Sequence, residues 1–136
     1  MAERIAVILA AGMSTRMNTK LAKVLHEVCG RPMLAYVLDA CRHAGVDRIL
    51  LVVGYGKDQI IERYRQDKDI TFVEQAEQRG TGHAVMCCAE HLGSFEGQVL
   101  ILYGDAPLIR RETLTTLLDK HVQEKAAATL ATSVLT

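Results

Sequence analysis

The run Ile5-Ala6-Val7-Ile8-Leu9 passes without a break into Ala10-Ala11-Gly12-Met13-Ser14-Thr15-Arg16-Met17. A short, unbroken aliphatic run rich in β-branched side chains suits a strand covered on both faces, the usual situation in a parallel sheet. Ile49 to Val53 (ILLVV) and Val99 to Leu102 (VLIL) predict two more fully buried strands, and Ile70 to Val73 a less marked one. Between them, Pro32 to Ala44 sets Met33, Leu34, Val37, Leu38 and Cys41 on one helical stripe, with proline at the first position and Gly45 as the stop. Lys57 to Tyr64, Thr81 to His91 and Arg111 to Glu124 have similar spacing, and Ala127 to Val134 reads as a closing strand. The expected fold is therefore α/β, a Rossmann-like, mainly parallel sheet with helices on both faces and right-handed crossovers. Ligands of such sheets sit beyond the carboxyl ends of the strands. Ala10 to Gly30 lacks periodicity and is long for a strand-to-helix connection, and a loop of that length is usually functional or disordered.

The chain has 136 residues, enough for one domain with one core, and no repeat or linker divides it. Hydrophobic residues make up 49% and aromatic residues only 4%, so the core is aliphatic. Sixteen basic and sixteen acidic residues cancel, so there is no broad field to draw in nucleic acid or an anionic membrane. The four cysteines have no metal-ligand spacing and read as reduced thiols. No stretch is long enough to span a bilayer, and a soluble cytoplasmic protein is expected.

Three segments could carry chemistry. In the long loop, Ala10, Ala11 and Gly12 leave backbone N–H groups open to a phosphate or base edge, and Arg16, Lys20 and Lys23 add cations suited to a polyphosphate. From spacing alone, a solvated basic turn is an equal reading. Neither a G-x-x-x-x-G-K-[ST] loop nor a G-x-G-x-x-G fingerprint follows the first strand. Next, Gln75 lies just past the Ile70 to Val73 strand candidate and Gly80-Thr81 opens a helix. A glutamine amide offers both donor and acceptor to a base, although Gln75 alone would read as a solvated loop residue. His83, one turn into that helix, reads as a packed or capping residue with no assigned role. Finally, Asp105 follows the Val99 to Leu102 strand, where a carboxylate facing a crevice can hold a divalent cation or close an Asx turn ahead of Pro107.

Taken together, Leu9-Ala10-Ala11-Gly12-x-x-Thr15-Arg16-Met17, Lys23-Val24-Leu25-His26, Gly30-x-Pro32-Met33-Leu34, Glu74-Gln75 with Gly80-Thr81-Gly82-His83-Ala84, and Leu102-Tyr103-Gly104-Asp105-x-Pro107-Leu108 resemble the signature of the sugar-phosphate nucleotidyltransferases. The resemblance is strongest to the N-terminal uridylyltransferase domain of bifunctional N-acetylglucosamine-1-phosphate uridylyltransferase/glucosamine-1-phosphate acetyltransferases, and it covers nearly the whole chain. It implies a sheet of the nucleotide-diphospho-sugar transferase type and transfer of a uridylyl group from UTP to a sugar 1-phosphate. It also implies that Leu9, Ala10, Ala11 and Gly12 hold the nucleotide, and that Arg16 and Lys23 carry the catalytic charge on its phosphates. Gln75, Gly80 and Thr81 would read uridine, Tyr103 and Gly104 would line the substrate, and Asp105 would hold Mg2+.

Two positions depart from the family pattern. Ser14 stands where glycine is usual and can still donate to a phosphate; Ala22 stands where proline is usual, and the missing proline leaves the approach to Lys23 less rigid. The resemblance also implies that residues 1–136 are the nucleotide-binding part of a truncated domain, with most sugar contacts, a second metal ligand and the trimerisation region elsewhere. Three functions stay open: a uridylyltransferase or its truncated nucleotide-binding half, a relative using another nucleotide or sugar, and a non-catalytic nucleotide-binding or interaction domain.

Overall fold

A computed structural model describes residues 2–13 and 16–136; Ser14 and Thr15 of the loop motif lie outside the described residues. Strand β1 (Glu3–Ala10) leads through a single 3-10 turn (Lys23–Leu25) to a two-rung hairpin, β2 (Glu27–Val28) and β3 (Arg31–Pro32), and then to helix α1 (Met33–His43). There follow β4 (Arg48–Val53), α2 (Lys57–Tyr64), β5 (Ile70–Glu74), α3 (Thr81–Met86), α4 (Ala89–Leu92), β6 (Gly97–Tyr103) and α5 (Arg111–Gln123).

The main sheet runs β5-β4-β1-β6, and all three pairings are parallel. Going from β1 through β4 to β5, the chain builds outward on one side, then returns to place β6 on the other side of β1. The strand order thus reverses at β1, and the crevice beyond the carboxyl ends of β1 and β6 is where such sheets take ligands.

Alternation along β1 divides the core into two layers. Ala6, Ile8 and Ala10 face α1, α2 and α5, packing with Leu34, Val37 and Leu38, Ile60, Leu114 and Leu118. Ile5 and Val7 face the other way with Leu50 and Val52, under Ala84 and Cys88. The aliphatic runs of β1 and β4 are buried on both faces because helices cover both. At the end of α1, Gly45 takes φ +82°. Its N–H bonds the Arg42 carbonyl and the Val46 N–H bonds that of Cys41, a Schellman closure that requires a left-handed residue.

Several sequence expectations need correction. Pro32 precedes α1 as its cap and pairs with Glu27 in the hairpin, which breaks up what reads as featureless loop. Thr81 to His91 is two helices, because Cys88 N–H bonds the Val85 carbonyl three residues back and tightens the chain into a turn. The Val99 to Leu102 run is not fully buried. β6 is an edge strand: Val99 and Ile101 share the face of Ile5 and Val7, but there they are 41% and 50% exposed, beyond the cover of α3 and α4. Ala127 to Val134 forms no strand: it has β propensity but no ladder partner, and its apolar residues Leu130 and Val134 are exposed. Among the described residues, no helix is long and apolar enough to cross a membrane.

Candidate active site

A cleft of about 220 Å³ opens at the reversal point of the strand order, and the ends of β1, β5 and β6 meet in it. Its floor is Leu9, Ala10, Ala11 and Gly12, as β1 gives way to the loop. The Ala11 carbonyl accepts two hydrogen bonds, from Tyr55 N–H (3.3 Å) and from the Gln78 side-chain amide (2.6 Å), so the start of the loop is held firmly. A Cβ on Gly12 would meet nothing within 4 Å, so the fold itself does not require glycine there; the missing side chain leaves room at the floor. Gly54, just past β4, is a different case. A Cβ there would lie 2.9 Å from the Gln75 carbonyl and 3.1 Å from Ala11 Cβ, so only glycine lets those two segments converge.

On one wall, Gln75 N–H bonds the Val53 carbonyl at 2.8 Å, which continues the β4–β5 ladder one residue past β5. Its side chain, with the residue only 3% exposed, reaches the Gly80 carbonyl (3.2 Å) and His83 Nδ1 (3.0 Å). Gly80 needs its glycine: φ is +97° as the chain turns into α3. Thr81 and Ala84 complete this wall. Burial pushes the Cys88 thiol behind it up to about 11, so it stays protonated, directed at the Ala84 carbonyl (3.8 Å), and is unsuited to nucleophilic attack.

The opposite wall carries charge. Lys23 Nζ lies 2.8 Å from Asp105 Oδ2, and both side chains are partly exposed at the cleft. Among the described residues, Asp105 is thus engaged with a cation and closes no Asx turn. The turn that presents Lys23 is fixed from α2: Gln59 accepts from Ala22 N–H at 2.8 Å and donates to the Lys20 carbonyl at 2.9 Å. A proline at position 22 would have no N–H to give, so the rigidity expected of proline comes here from Gln59. The half-exposed ring of Tyr103, at the end of β6, flanks the pair.

The structure therefore gathers Leu9, Ala10, Ala11, Gly12, Lys23, Gln75, Gly80, Thr81, Tyr103 and Asp105 around one cleft. Gly104 is beside it in a structural role. Its N–H bonds the Leu9 carbonyl (2.9 Å), and a Cβ would crowd Val24 at 3.1 Å, so it holds β6 against β1. Arg16 is exposed and outside the cleft lining, on the residue after the undescribed pair. Gln59, Gln78 and His83 escape a reading of the sequence, because isolated amides and a histidine in polar segments carry no periodic or spacing signal. Among the described residues, no group of three or more His, Cys, Asp or Glu side chains gathers for a metal. A lone carboxylate suits an ion that keeps its waters and takes substrate phosphates as ligands, as Mg2+ does.

Comparison with known proteins bears on the family and the fold. Residues 6–134 match the model of the MobA-like NTP transferase domain. The bifunctional protein GlmU of Clostridium perfringens strain SM101 is 48% identical over 130 residues, and that of Pelobacter propionicus 51% over 128 residues. These alignments take in 96% and 94% of this chain but 28% of each relative, so the chain spans less than a third of their length. Among solved structures, Rv0371c of Mycobacterium tuberculosis H37Rv superposes with a TM-score of 0.70 at 26% identity, covering 88% of this chain and 60% of that one. Rv0371c in complex with manganese superposes at 0.65 and 25% identity, over 88% and 59% of the two chains. A nucleotidyl transferase of Methanothermobacter shares the fold, with a TM-score of 0.72 at 21% identity over 86% of this chain and 57% of that one. The fold is thus that of the nucleotidyltransferases, and the chain belongs to the MobA-like NTP transferase domain family.

Proposed function

We propose that this chain is the nucleotide-binding part of a uridylyltransferase, which transfers a uridylyl group from UTP to a sugar 1-phosphate, in the first instance N-acetylglucosamine 1-phosphate, with release of pyrophosphate. The supporting observation is that one cleft brings together a backbone floor at Leu9 to Gly12, a buried amide at Gln75 and the Lys23–Asp105 pair. These serve the phosphates, the base and a metal respectively. The GlmU relatives support the sugar-nucleotide assignment.

The reaction needs alignment and charge neutralisation more than proton transfer. A sugar phosphate is already an anion, and its oxygen attacks the α-phosphorus of UTP in line with departing pyrophosphate. Lys23 supplies positive charge to the phosphates, and Arg16 adds to it from the loop. Asp105 would hold Mg2+, and the structure of Rv0371c in complex with manganese supports a divalent cation in this fold. When bound, the ion offsets charge on the phosphate oxygens and helps orient them. Lys23 and Asp105 neutralise each other across 2.8 Å; nucleotide phosphates would give Lys23 a new partner of opposite sign, and an accompanying divalent cation would do the same for Asp105. Small-molecule substrates in the cytoplasm, rather than nucleic acid or membrane, fit the balanced charge and the free cysteines.

Two measurements test the reading. Calorimetric titration with the four nucleoside triphosphates and magnesium is expected to rank UTP first. A pyrophosphate-release assay with UTP and sugar 1-phosphates is expected to show slow, magnesium-dependent turnover by this chain alone. Equal affinity for all four nucleotides would refute the uridine assignment.

A further inference from the structure

The contacts of His83 and Gly80 decide which way the Gln75 amide points. The carbonyl oxygen of Gly80 can only accept. It already takes the Ala84 N–H at 3.2 Å as α3 begins, and the Gln75 side chain approaches it at 3.2 Å. The atom facing it must therefore be the amide nitrogen, because an amide oxygen there would set two acceptors against each other. The same nitrogen lies 3.0 Å from His83 Nδ1. With its first hydrogen directed at Gly80, it gives its second to Nδ1, which must then be unprotonated. His83 is thus the Nε2–H tautomer, with that N–H on the side of Cys87 Sγ, 4.0 Å away.

Both amide hydrogens of Gln75 are now committed inside the protein. Among the described residues no donor is bonded to Gln75 Oε1, and Gln75 lines the cleft. The side chain, ambiguous in sequence, has become an acceptor with a fixed direction. We infer that His83 is a positioning residue, which with the Gly80 carbonyl makes Gln75 an acceptor-only reader. The cleft then selects a base that offers a ring N–H, as uracil does, over one that offers a lone pair at the same place, as cytosine does. The inference rests on the uridine reading above and deepens it, since the selectivity is assigned to a residue behind the contact. A cytosine would require the amide to rotate, which would bring Oε1 against the Gly80 carbonyl and leave His83 Nδ1 without a donor.

Two substitutions separate orientation from bulk. His83→Leu keeps side-chain bulk at the site but removes the acceptor. His83→Asn puts an oxygen near the position of Nδ1. Titration of the 136-residue chain with UTP and CTP in magnesium is expected to show the UTP-over-CTP affinity ratio shrinking about tenfold in His83→Leu, the effect of one lost orienting hydrogen bond. In His83→Asn the ratio is expected to stay within about threefold of the original. Thermal unfolding of each variant confirms that it is folded. Nitrogen-15 spectra of the unliganded wild-type chain supply a readout that needs neither nucleotide nor mutation, and the expected result is a protonated Nε2 and bare Nδ1 on His83. The opposite tautomer overturns the inference, as does an unchanged ratio in folded His83→Leu. A wild-type chain that binds the nucleotides indiscriminately overturns the uridine reading as well. A UTP preference that survives His83→Leu overturns this inference alone.

Discussion

The two ends of the parallel sheet treat their polar groups in opposite ways. At the amino ends, side chains satisfy one another. Arg4 N–H bonds Asp47 (2.8 Å), its guanidinium bonds Gln98 (2.8 Å) and the Ala44 carbonyl (3.1 Å), Arg48 reaches Glu3, and Arg42 holds both Asp67 and Asp69 ahead of β5. At the carboxyl ends, Gln59, Gln78 and His83 hold the working segments from behind, while the cleft-facing groups keep capacity for a ligand. One end is closed by its own side chains; the other is braced but left reactive. Substitutions at the open end are therefore expected to change binding, and those at the closed end to change stability.

The largest expected effect tests the open end. Asp105→Asn removes the charge proposed for the metal and is expected to weaken magnesium-dependent UTP binding by about a hundredfold, a charge-assisted contact's worth. The melting temperature is expected to stay put, since the partner Lys23 is partly exposed and such pairs add little to folding. Calorimetry with and without magnesium, together with thermal unfolding, checks both halves.

Gly54→Ala should erase the distinction between the ends. Its Cβ would press on the Gln75 carbonyl and Ala11, so a stability loss of about 1–3 kcal/mol is expected together with weaker nucleotide binding. Urea titration and calorimetry on the same preparation measure the two. Arg4→Ala sharpens the comparison from the other side. It leaves the buried Gln98 oxygen without its donor and is expected to cost about 1–2 kcal/mol in urea titration, with nucleotide affinity unchanged.

The smallest effect is one of pH. The Arg42 guanidinium, through its hydrogen bonds and charge, holds the Asp69 carboxyl below the usual carboxylate range. A lowered folded pKa gives stability that is present above the ordinary carboxylate value and lost as pH falls through the lower one. Urea midpoints measured from neutral pH down to strongly acidic conditions are expected to fall less steeply in Arg42→Met than in the unaltered chain. The difference is at most about 1 kcal/mol for so exposed a pair. Nucleotide affinity at neutral pH is expected to be the same in both.

What the sequence disclosed follows the same division. The aliphatic runs of β1 and β4, the stripe of α1 and its Gly45 stop are strong local signals, because burial on both faces or on one stripe constrains every residue in the element. The exposure of Val99 and Ile101 was hidden, since it depends on which strand is outermost, a property of topology and not of the run itself. Ala127 to Val134 shows the converse: propensity without a partner makes no strand. In the site, Gly12, Lys23 and Asp105 stand out by chemistry and spacing. Gln59 does not, because a glutamine on an exposed helix face looks the same whether it points to water or clamps a turn 37 residues away.

The one-residue extension of the β4–β5 ladder, Gln75 N–H on the Val53 carbonyl at 2.8 Å, has a consequence for exchange with solvent. An amide on a loop swaps its hydrogen for deuterium whenever the loop breathes, whereas one in a ladder waits for the strands to part. Gln75 is expected to keep its proton about as long as the neighbouring residues of β5, so this wall of the cleft persists until the sheet itself opens.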